Sequence, residues 1–99
     1  MALAAINPTG QAALTAGTVS SNVAIPATGT PTQVLVQNLG SRAAFVLLGS
    51  SNAVAATVAD GTPILPCPNP GVVLTLSTNT FIAAITADGS TPLRVTAGT

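Results

Sequence analysis

Lysine, glutamate, histidine, tryptophan and tyrosine are all absent from this 99-residue chain, and its ionisable side chains reduce to two Arg, two Asp and one Cys. General acid–base catalysis, zinc capture and nucleic-acid binding each draw on the missing residues, so no enzyme, no metal or other cofactor and no nucleic-acid partner is expected. With 4% charged residues and a formal net charge of zero, copies of the chain lack the repulsion that normally keeps proteins apart. Either hydroxyls and amides solvate its surfaces or neighbours cover them. Cys67 lies between Pro66 and Pro68 with no His to activate it, and is expected to pack as a small apolar residue. One Cys cannot close an internal disulfide, so it leaves the redox compartment unread. No apolar run approaches the ~20 residues of a transmembrane helix, so no membrane partner is expected. The opening MALAAI lacks the positive start of a secretory signal and stops at Asn7-Pro8, which predicts that it stays in the mature chain.

What is present favours β structure. Hydrophobic residues make up 47% of the chain, but 18 of them are Ala and only two are aromatic, so one thin-cored domain is expected. Fifteen Thr can coat strand faces with hydroxyls. Residues 1–16 are read as an extended N-terminal arm, because Pro8 and Gly10 interrupt the only helix-friendly stretch. Residues 17–99 then show Val, Ile, Thr and Leu in short runs punctuated by Gly, Pro, Asn and Asp. That pattern predicts an all-β, antiparallel β-sandwich, jelly-roll or immunoglobulin-like, of about eight short strands. The candidate strands are 18–25, 32–38, 43–48, 54–58, 62–65, 72–76, 80–87 and 93–96.

In the run 33–37, alternation makes Val34 and Val36 the core pair. The runs 43–48 and 81–85 are apolar on both faces, which predicts an additional covered surface carrying Phe45 or Leu47 and Phe81 or Ala83. Asp60-Gly61 and Asp88-Gly89 carry tight-hairpin chemistry, and Asn38-Leu39-Gly40-Ser41 suits a third hairpin in which Gly40 takes the awkward dihedral. Pro63, Pro66, Pro68 and Pro70 make 62–65 an edge strand or an extended segment. The phrase 55–63 echoes 83–89, and shared turn chemistry accounts for the echo better than a duplicated hairpin. The two Asp are explained by turn capping rather than as a catalytic pair, and two isolated Arg, Arg42 and Arg94, make no nucleic-acid patch.

From Gln33 onward the phrases VLVQNLG (34–40), AFVLLG (44–49), the Ala-rich run 53–59, Pro70-Gly71, IAAIT (82–86) and LRVTAG (93–98) resemble a family of small bacteriophage virion proteins. The resemblance covers about two thirds of the chain and implies a small β-sandwich that decorates or cements a capsid, often as a trimer. It further implies the major capsid protein as partner and the capsid surface of the virion as location. Contact residues expected on this reading are Leu3 and Ile6 in the arm, Phe45 and Phe81 shared between core and interface, and Arg42 and Arg94 as bridges between chains. Alternatives are a phage tail or baseplate appendage touching host glycan, and a subunit of a self-assembling β-fibre.

Overall fold

A computed structural model describes residues 8–66 and 71–99. All of its regular structure is β: β1 (Pro8–Ala16), β2 (Ser21–Ala24), β3 (Gln33–Asn38), β4 (Ala44–Gly49), β5 (Thr62–Ile64), β6 (Val72–Thr75), β7 (Phe81–Thr86) and β8 (Thr91–Gly98). They form two four-stranded antiparallel sheets, β1-β8-β3-β6 and β2-β7-β4-β5. In each sheet the outer pairs join strands whose numbers mirror each other, β1 with β8, β2 with β7, β3 with β6 and β4 with β5. The chain is thus a long hairpin, bent at the β4–β5 connection and rolled into two layers. That strand order is the jelly roll.

Its consequence is that β4 and β5 alone are both consecutive and paired, while every other connection crosses from one sheet to the other. The turns at 38–41 and 88–89, expected to close hairpins, are therefore arches between layers. The turn at 60–61 ends the long β4–β5 connection, where Gly61 N donates to Thr57 O (2.8 Å) and Asp60 N to Thr57 Oγ1 (3.1 Å). Gly89 does adopt a left-handed φ of 71°, as its turn requires. Gly40 is needed for a different reason than the one expected. A Cβ there would fall on Thr91 Oγ1 and 2.7 Å from Pro92 Cδ, so the position demands the absence of a side chain.

Residues 8–16, expected within an extended N-terminal arm, form the edge strand β1, in register with β8 from Gly10↔Ala97 to Ala16↔Thr91. Pro8 is tolerated because it begins an edge strand, and Gly10 because Pro26 packs where its side chain would stand. Leu14 and Ala16 enter the core with Val34, Val36, Val46, Ile64, Ile82, Leu93 and Val95. Val34 and Val36 are fully buried, as their alternation predicts. Four Ala (Ala16, Ala44, Ala84 and Ala97) share this core and no aromatic residue does, which matches a body only 19 Å along its shortest axis.

The expected strand 54–58 is not one. Residues 50–61 instead form a strap that doubles back over the outside of the second sheet. Asn22 Nδ2, on the outer face of β2, donates to Asn52 O (2.9 Å) and Val54 O (3.4 Å), and Ala56 N donates to Ser20 Oγ (2.8 Å). Val54 lies over Gly49, where a Cβ would meet its side chain at 2.5 Å. The Val and Ala of this stretch read as a strand, yet side-chain hydroxyls and amides, not a ladder, hold its backbone. The echo between 55–63 and 83–89 thus joins a strap to a central strand, as shared turn chemistry implies.

Candidate contact surfaces

On the outer face of the second sheet, the register Phe45↔Ile85, Leu47↔Ala83 and Gly49↔Phe81 sets out an apolar strip, continued by Pro63 opposite Phe45. The expectation that this face is covered holds for Ala83, which is 0% exposed, and the cover is the chain's own strap. Phe45 and Phe81 are half-buried on this outer face, so neither is shared with the core as expected. Four residues of strand, about 13 Å, separate them. Leu47 stays 37% exposed.

The remaining expected contact residues lie elsewhere. Arg42 sits where β3 arches into β4, and its Nη1 pairs with Asp88 Oδ2 at 2.8 Å, with both side chains largely in solvent. Arg94 projects from the outer face of the first sheet, where its Nη1 reaches Gln11 Oε1 at 3.3 Å. Both bonds are made within the chain; Arg94 lies on the other sheet from the two Phe, whereas Arg42 and Asp88 line a shallow surface cavity together with Phe45. Leu3, Ile6 and Cys67 lie outside the described residues.

Val58 of the strap is 42% exposed, and three residues that the sequence reading passed over are more exposed still. Val19 in the β1–β2 connection is 80% exposed, Leu39 in the β3–β4 connection 55% and Leu65 just after β5 51%. The jelly roll brings all three to one end of the sandwich. Leu39 N donates to Pro92 O, Asn38 bridges to Pro66, and Thr86 N donates to Gly17 O, tying the connections together there. Large apolar side chains on loop tips in water signal a contact surface when they gather. The clue in the sequence was a Leu or Val placed inside turn chemistry, as in Asn38-Leu39-Gly40.

Beneath that end lies a buried polar centre. Asn38, 3% exposed, donates from Nδ2 to Ile64 O (3.0 Å) and to Arg42 O, and its Oδ1 accepts from Gly40 N (3.0 Å) and Thr91 Oγ1 (2.7 Å). One amide therefore joins β3, β5, β8 and the arch, using all four of its hydrogen-bonding positions.

The opposite end holds a shallow cleft of about 300 Å³ between the β2–β3 and β6–β7 connections, lined by Ile25, Pro26, Pro31, Leu76 and several hydroxyls. Its lining includes Thr30 and Ser77, the two non-glycine residues with left-handed φ among those described. No charged or aromatic side chain lines it, so it offers neither an acid–base group nor a stacking platform for a sugar. Among the described residues, no group of three or more His, Cys, Asp or Glu could hold a metal ion, and no helix is long and apolar enough to cross a membrane. Comparisons with protein-family models, with curated proteins and with solved structures find no match to the chain.

Proposed function

We propose that this protein is a non-catalytic structural subunit whose mechanism is packing against protein neighbours. The observation that carries the reading is the end formed by Val19, Leu39 and Leu65, exposed apolar side chains on a molecule with four charged residues in all. Such a surface gains by apolar burial against a partner, while the exposed Arg42–Asp88 pair, which shares this end, costs least if it stays hydrated at the rim of the contact. An approach to nucleic acid or to an acidic substrate would have no electrostatic pull behind it.

The specific role we infer is decoration or cementing of a bacteriophage capsid, with the major capsid protein as the surface contacted. Two considerations support it: the phrases running from Val34 to Gly98 resemble such proteins, and the jelly roll recurs in capsid proteins, although a fold by itself assigns no function. Electron cryomicroscopy of virions produced from the genome that encodes the chain tests this reading. Copies of the 19 Å-thin sandwich repeating on the shell lattice are the expected result. A shell without them would overturn it, whether the protein proved to be tail-borne or absent from the particle.

A further inference from the structure

The jelly roll has four sheet edges, and three of them are guarded. β1 and β2 shield one another at the corner, where Ser21 Oγ donates to Thr15 O (3.2 Å), and the β2–β3 connection covers β1 further along, Pro26 against Gly10 and Gly29 against Thr9. β5 is three residues long, includes Pro63 with no N–H to offer, and has Ile64 O already bonded to Asn38. The fourth edge, β6, has the sequence Val-Val-Leu-Thr and, among the described residues, pairs only with β3. It carries no proline, charge or bulge, the devices by which proteins blunt a free edge. Beside it runs a groove of about 300 Å³ lined by Leu47, Leu48, Thr62, Leu74 and Thr75. The groove lies where β5, which pairs with Ala44–Val46, stops short of the end of β4.

We propose that β6 is a self-association site, where a second copy adds its own β6 antiparallel across a two-fold axis and joins two four-stranded sheets into one of eight. This rests on the packing function above and names its partner. A second copy is the occupant because its edge is equally free, equally uncharged and self-complementary. Register follows from side-chain parity, since paired residues must face the same side of a sheet. Val72 and Leu74 face the core, opposite Val36 and Val34, whereas Val73 and Thr75 face outward. A two-fold pairing centred on Val73 sets Val73 against its own copy and Val72 against the copy's Leu74, bringing apolar side chains to the groove beside Leu47 and Leu48. The contact closes as a dimer, unlike the trimer that the family resemblance implies.

The test uses the full chain and three variants: V73K, which puts two like charges face to face on the outward side, and V73C and T75C, each in a Cys67→Ala background. Sedimentation should give wild type twice the protomer mass and V73K half of that, with an unchanged circular dichroism spectrum. A short thiol-to-thiol crosslinker should join V73C into covalent pairs, because Cβ atoms of directly opposed residues lie about 4.5–5.5 Å apart, beyond the roughly 3.5–4.5 Å that a direct disulfide requires. T75C should stay unlinked, because the same register sets Thr75 opposite residue 71. A monomeric wild type, a V73K variant of wild-type mass, or V73C that fails to link would overturn the proposal. If V73K does not fold, the two cysteine variants decide. Binding to shells is scored separately: V73K that still decorates shells as a monomer supports this edge and leaves the packing function standing, whereas dimers that bind no shell support this edge and remove the capsid role.

Discussion

Asn38 shows how much one side chain can hold in a core this thin. Its amide supplies two donors to backbone carbonyls of β5 and the arch, and one acceptor shared by Gly40 N and Thr91 Oγ1. Truncation leaves those groups buried and unpaired, so Asn38→Ala is expected to cost about 3 kcal/mol and to lower Tm by about 10 °C or more. Asn38→Asp keeps the acceptor but loses both donations and buries a carboxylate, so thermal melts should show it at least as unstable as the alanine variant. Arg42–Asp88 presents the opposite case. Its side chains are 49% and 83% exposed, so Arg42→Ala should change the unfolding free energy by less than about 0.5 kcal/mol in denaturant titration.

At the scale of elements, the strap over the second sheet decides which surfaces remain for partners. It takes Ala83 out of solvent and leaves Leu47 beside the groove. Among the described residues, three side chains anchor it, Thr80 at residue 50, Asn22 at residues 52 and 54 and Ser20 at residue 56. Asn22→Ala is therefore expected to speed amide hydrogen exchange across residues 52–56 severalfold while the β3 and β8 amides keep their protection. Uniform loss of protection across the sheets would mean that the strap is part of the global folding unit.

Much of this level was legible in the sequence and some was not, for definable reasons. β3, β4, β6 and β7 fall within a residue or so of the runs expected from Val, Leu and Ile, because each is a continuous apolar run bounded by turn residues. β1 was hidden by Pro8 and Gly10, which read as breakers but are harmless at a guarded edge. The arch at Asn38–Gly40 has the same local chemistry as a hairpin, and nothing in four residues encodes which layer the next strand will join. Phe45 and Phe81 lie in runs apolar on both faces, so alternation could not say that each points away from the core. The loop-tip residues Val19, Leu39 and Leu65 carried a signal of another kind, an apolar side chain where a turn favours a polar one.

At the scale of the molecule, the mirror-paired jelly roll places connections from distant parts of the chain side by side. This is how Val19, Leu39 and Leu65, scattered through the sequence, come to share one end. The same topology leaves β6 as the edge that nothing guards among the described strands. Both features point outward from a body whose charged side chains number four, so association must draw on apolar burial and main-chain hydrogen bonds. Screening acts on charges, and the short Debye length at high ionic strength leaves those two contributions intact. Sedimentation equilibrium of the full chain at micromolar concentration, from about 0.1 M to about 1 M NaCl, therefore tests the account most directly. The predicted result is a mass above the 9.5 kDa protomer that stays constant across the salt range. A 9.5 kDa monomer at every concentration, or an oligomer that dissolves as salt rises, would contradict it.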